Sequence, residues 1–84
     1  MAVHRVSIVN FDFIPAQLTV AVGDTVTWTN TVSTLHTVTA DDNSFNSGNL
    51  AQGATFSLAL TRSGTVTYHC SFHPTTMKGE VTAA

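Results

Sequence analysis

From Thr25 to Asn30 the chain alternates, with Val26 and Trp28 set between Thr25, Thr27 and Thr29. A two-residue period is what a strand needs when one face is covered and the other is wet, because successive side chains point to opposite sides. The same phase returns in Phe56, Leu58 and Leu60, and again in Val66, Tyr68 and Cys70. Short alternating runs, broken at Gly23-Asp24, Asn43-Ser44, Ser47-Gly48-Asn49 and Ser63-Gly64, predict strands joined by turns. No segment carries the pattern of a long helix.

Seven strands are expected, near Val3–Val9, Leu18–Val22, Thr25–Asn30, His36–Ala40, Ala54–Leu60, Thr65–Cys70 and Lys78–Ala83. Strands of this number and spacing point to an all-β, two-sheet Greek-key sandwich. With 84 residues and no linker or repeat, a single domain over residues 1–84 is expected.

Composition narrows the function. Charged residues make up 10% of the chain, against roughly a quarter in average proteins, and threonine fills the deficit. Three basic residues and a net charge of −2 give no footprint for nucleic acid. No apolar run approaches the roughly 18 residues of a membrane span, and the N-terminus lacks a signal-peptide layout. The Met1-Ala2 start fits a leader removed and an initiator added, and equally a natural short reading frame. One cysteine allows no internal disulfide, so the redox compartment is not reported by pairing.

The chemistry-bearing residues gather in Tyr68-His69-Cys70-Ser71-Phe72-His73-Pro74-Thr75-Thr76-Met77, with His36 upstream in Leu35-His36-Thr37-Val38. Strand phase turns Cys70 inward with Val66 and Tyr68 and sends His69 outward, while His36 shares the inward phase of Val38. One thiolate, two imidazoles and one thioether (Cys70, His36, His73 and Met77) form the donor set of a trigonal His₂Cys copper site with a weak axial Met. Soft sulfur suits Cu(I), imidazole suits Cu(II), and a mixed set limits the rearrangement between them. His36 comes from a separate strand, so a metal there would clip distant parts of the chain. Each residue alone has a plainer reading, as buried hydrophobe, surface histidine or gap-filling methionine. The joint arrangement is what favours the metal.

The chain resembles the small cupredoxins, the copper proteins of the plastocyanin, amicyanin and pseudoazurin type. The resemblance rests on Phe11-Asp12-Phe13-Ile14-Pro15, Val22-Gly23-Asp24-Thr25-Val26-Thr27-Trp28-Thr29-Asn30, Leu35-His36-Thr37-Val38, and Tyr68 through Pro74 with Met77-Lys78-Gly79-Glu80-Val81. It implies an electron-transfer protein with one Cu(I)/Cu(II) ion, held through Nδ1 of His36 and His73, the sulfur of Cys70 and Met77 axially. It also implies a periplasmic or other extracytoplasmic location, a monomer, and redox partner proteins docking near His73. The loop here reads Cys-x₂-His-x₃-Met, one residue longer between His and Met than the amicyanin-like pattern and one shorter than the plastocyanin-like one. Thr37 stands where relatives usually carry an Asn that braces the residue after the Cys. A hydrogen bond from Thr37 towards Cys70-Ser71 is therefore expected, the plain alternative being one more strand threonine.

Around the exposed edge of His73, the residues Ile14, Pro15, Leu35, Phe72 and Pro74 are candidates for an apolar docking patch. Asp41-Asp42 reads either as a steering charge or as a solvated turn. His4 and His69 are read as structural or surface residues, and Trp28 and Tyr68 as core. Two further functions compete with electron transfer. A redox enzyme acting on a small molecule such as nitric oxide or nitrite needs an open coordination position or a second metal, and a copper carrier needs easy release. A binuclear copper centre needs two cysteines, which one Cys70 excludes. Zinc could fill the same donors but cannot carry an electron.

Overall fold

The computed structural model describes residues 1–84 and contains eight strands and no helix. These are β1 (Val3–Val9), β2 (Asp12–Ile14), β3 (Gln17–Val20), β4 (Thr25–Asn30), β5 (Thr39–Ala40), β6 (Thr55–Ala59), β7 (Gly64–His69) and β8 (Lys78–Ala83). They form two four-stranded sheets, ordered β2-β1-β4-β6 and β3-β8-β7-β5. Each sheet contains one parallel pair, β1 with β4 and β3 with β8, so the chain crosses between sheets and does not simply meander.

The alternation seen in the sequence becomes the interface between the sheets. Val6, Ile8, Val26 and Trp28 of one sheet and Tyr68 and Val81 of the other are all buried. Trp28 stands edge-on to Tyr68 at 5.3 Å, and Phe13 edge-on to Tyr68 at 4.7 Å, the geometry that aromatic quadrupoles favour. Burial pushes the Tyr68 phenol up to about 12. Its register partner across β7–β8 is Gly79, where an added Cβ would overlap the phenol ring and hydroxyl. Glycine here is a packing requirement.

Three departures from the expected strands have local causes. β2 is an additional strand, joined to β1 through Asn10-Phe11 with Val9 opposite Asp12 and Ile8 opposite Phe13. Its turn lacks the Asn-Gly signature by which a hairpin is read. The strand expected at Leu18–Val22 runs Gln17–Val20, because Asp24 N–H closes a turn onto Ala21 O and Gly23 takes φ 97°. The strand expected at His36–Ala40 shrinks to Thr39–Ala40, and all five residues are buried. The following loop returns over it, with Ser47 N–H donating to Val38 O, Val38 N–H to Ser47 Oγ, and Ala40 N–H to Phe45 O. A segment covered on both faces cannot show a wet phase.

Candidate metal centre

His36 is held by the end of β4. Val26, Trp28 and Asn30 share the inward phase, and Asn30 is a buried polar residue at the last of these positions. Such a group must find partners or cost stability. Asn30 Nδ2 donates to Thr34 O at 2.9 Å and to Leu50 O at 2.8 Å, and its Oδ1 accepts from Val32 N–H at 3.0 Å. Leu50 in turn bonds His36 in both directions, at 3.3 and 2.8 Å. One buried amide thereby ties the end of β4 to the segment that carries His36.

Cys70, His73 and Met77 lie on the loop between β7 and β8. Cys70 N–H donates to Met77 O, His73 N–H to Cys70 O, and Met77 N–H to His73 O, each at 3.0 Å. The loop therefore closes on its own backbone. Cys70 and Met77 are fully buried, His73 is half-buried, and Thr75 and Thr76 face solvent.

The two halves meet at sulfur. Cys70 Sγ lies 3.6 Å from His36 Nδ1 and 3.5 Å from the Thr37 backbone N–H, which points at it. His36 Nε2 lies 3.0 Å from Asn10 Oδ1. An amide oxygen only accepts, so Nε2 carries the proton and Nδ1 presents a lone pair towards Cys70. Burial, and then the nearby charge of His73, depress the His36 pKa and favour this neutral ring. The rings of His36 and His73 are 6.0 Å apart at 50°. No three His, Cys, Asp or Glu side chains in the chain are grouped closely enough to hold a metal ion as they stand. The close pair is His36 with Cys70; His73 stands beside it, and Met77 is buried in the core cluster that includes Cys70.

The expected brace from Thr37 is present. Ser71 N–H donates to Thr37 Oγ1 at 2.8 Å, and the Thr37 hydroxyl lies 3.1 Å from Ser71 Oγ and 3.0 Å from Thr39 Oγ1. A buried thiol, a bare imidazole nitrogen and a thioether in the adjoining core suit copper, which takes soft sulfur and imidazole together.

A sequence profile of copper binding proteins, the plastocyanin/azurin family, matches residues 2–84. The chain belongs to this family. Among solved cupredoxin structures, a novel purple cupredoxin from Nitrosopumilus maritimus is 32% identical with a TM-score of 0.87, covering 96% of this chain and 99% of that one. An amicyanin variant in its reduced state is 34% identical with a TM-score of 0.88, over 96% of this chain and 81% of its own. A Cu-containing nitrite reductase from Thermus scotoductus matches at 26% identity and a TM-score of 0.88, but this chain spans only 22% of that larger protein. No curated protein sequence matches the chain.

Of the other residues singled out from the sequence, Ile14, Pro15, Leu35, Phe72 and Pro74 are all exposed. Phe11 is exposed as well and stands edge-on to His73 at 4.8 Å. His69 Nδ1 contacts Asp41 Oδ1 at 2.6 Å, and this hydrogen bond holds the Asp41 carboxyl below the usual range. Asp42 Oδ1 accepts from Ser44 N–H at 2.9 Å, so both acids are engaged locally. His4 Nε2 donates to Asp24 Oδ2 at 2.8 Å, far from the sulfur. Asn10, Phe11 and Asn30 carry the surroundings of the site and were not read as such from sequence. An Asn in the inward phase of an alternating strand was the available signal for Asn30.

Proposed function

We propose that this protein is an electron carrier in which His36 Nδ1, Cys70 Sγ, an imidazole nitrogen of His73 and the Met77 thioether would hold a single copper ion. The observation that carries the reading is the buried Cys70 thiol facing the unprotonated Nδ1 of His36. Copper would supply the Cu(I)/Cu(II) couple. This chain's own residues keep the donors in place and dry: Asn30 fixes the His36 segment, the self-bonded loop fixes Cys70 to Met77, and the Thr37 N–H withdraws charge from the sulfur, which favours the reduced state.

Residues 1–84 act as one domain in this reading, since both sheets close on a shared core. The protein turns over no substrate of its own. Complete burial of His36, Cys70 and Met77 supports that statement, because a small molecule would have to displace packed side chains to reach the metal. Electrons pass instead at the half-buried His73, where Phe11, Ile14, Leu35 and Phe72 offer a partner protein an apolar rim. Redox encounters of this kind bury small areas, below about 1,200 Å² in total. Kinship with amicyanin-type carriers supports work outside the cytoplasm.

The test is visible absorption with electron paramagnetic resonance after adding one equivalent of Cu(II). An intense thiolate-to-copper band, blue or purple, that bleaches with ascorbate and returns on oxidation is expected. Weak binding with no such band would retire the reading.

A further inference from the structure

The two-residue connection between β1 and β2 touches both imidazoles. Asn10 Oδ1 lies 3.0 Å from His36 Nε2, and Phe11, the next residue, meets the His73 ring at 4.8 Å and 74°. We infer that Asn10-Phe11 is the positioning element for the two histidines, Asn10 selecting the tautomer of His36 and Phe11 restricting rotation of His73. The metal consequence rests on the copper reading above; the tautomer does not.

Asn10 is 26 residues from His36 along the chain and is an exposed residue at the turn. A surface amide that spends its oxygen on a buried ring is positioned by the hairpin, whose register puts Val9 opposite Asp12 and leaves Asn10 and Phe11 as the connecting pair. An accepting oxygen on Nε2 makes that nitrogen the protonated one, so Nδ1 is left bare on the side of Cys70. Without Oδ1, nothing holds the proton on Nε2, an Nδ1–H can turn to the Cys70 sulfur instead, and the tautomers mix. On the other side, His73 is half-buried and has no side-chain hydrogen-bond partner, so the Phe11 edge is what limits its swing. One turn thereby sets the protonated atom of the inner imidazole and the attitude of the outer one. Partners of this kind typically govern metal affinity by about 10–100-fold.

The first measurement is nitrogen-15 NMR of the histidine rings in the metal-free protein. The parent is expected to show His36 with its proton on Nε2. In Asn10→Ala the two tautomers should mix, while Asn10→Asp, which keeps an accepting oxygen, should restore the single form. In copper-loaded protein, chelator competition should show affinity about 10–100-fold lower for Asn10→Ala, and faster copper loss for Phe11→Ala with the His36 tautomer unchanged. A parent with Nδ1 protonated, an Asn10→Ala protein that keeps the single Nε2–H form, or a Phe11→Ala protein that loses copper at the parent rate would overturn the assignment. If the parent shows no charge-transfer band, the copper reading fails while the NMR comparison still tests the tautomer.

Discussion

The two ends of the sandwich treat their polar groups in opposite ways. At the end where β1 and β4 begin, Asp24 is nearly buried and fully engaged: Oδ1 accepts from Ala2 N–H at 2.8 Å, and Oδ2 from His4 Nε2 at 2.8 Å and Ala21 N–H at 3.1 Å. At the end where those strands finish, the His36 ring nitrogen and the Cys70 sulfur face each other at 3.6 Å, with the Thr37 N–H as the sulfur's one backbone donor. A saturated carboxylate serves the fold. An imidazole nitrogen and a thiol held this close are what the copper reading proposed above requires, and in that reading the contrast separates a structural cluster from a ligating one.

The contrast breaks most completely with Cys70→Ala. The charge-transfer band of the copper-loaded protein should vanish, while far-ultraviolet circular dichroism retains the sheet signature; a surviving band would move the thiolate elsewhere, which a chain with one cysteine does not allow.

Metal addition comes next. Because a ligand that binds only the folded state stabilises it by mass action, Cu(II) or Zn²⁺ at a hundredfold excess over its dissociation constant should add about 2.7 kcal/mol. Calorimetry on parent and Asp24→Asn should give the same increment, since the clasp lies at the other end. An increment that depends on Asp24 would dissolve the distinction between the ends.

Thr37→Val keeps the shape but strips the hydroxyl from Ser71 N–H, and should lower the unfolding free energy of the metal-free protein by about 1–3 kcal/mol in urea titrations. The backbone N–H on Cys70 survives that change, so the charge-transfer band should persist. Loss of the band in a folded Thr37→Val protein would show that the hydroxyl, and not the main chain, secures the sulfur.

The smallest effect is the one that acid removes. The Ala2 N–H, and after it His4, hold the Asp24 carboxyl at about 2, below its ordinary 3.8. A depressed folded-state pKa means that its stabilisation is whole above the ordinary value and is lost as pH falls through about 2. Asp24→Asn should therefore be less stable than the parent at neutral pH, with the gap narrowing between about pH 4 and pH 2. A gap that stays constant across that window would assign the clasp to shape and not to charge.

How much of this was legible from residues alone follows from contact range. That Cys70, His73 and Met77 share one loop was readable from their spacing, and the burial of Val26, Trp28 and Tyr68 from the alternation that marks a covered face. The brace at Thr37 could be anticipated from the cupredoxin resemblance, in which the residue after the first His braces the one after the Cys. Asn10 and Phe11 could not, since their contacts with His36 and His73 depend on a hairpin whose turn has no distinctive composition and whose second strand has three residues. His36 to Ala40 misled for a different reason. Its pattern suggested a strand with one wet face, but the Phe45-to-Ser47 return covers the other side and takes over its backbone bonds.

The chain's two ends share an address. Thr25 N–H donates to Ala2 O, Val22 N–H to Ala84 O and Ala84 N–H to Val20 O, which places Ala2 and Ala84 around the Asp24 clasp. Any tether joined before Met1 or after Ala84 would leave from that pole. Half-buried His73, on the loop at the other end of β7 and β8, would then face away from such a tether, which would leave clear the surface where a redox partner is proposed to dock.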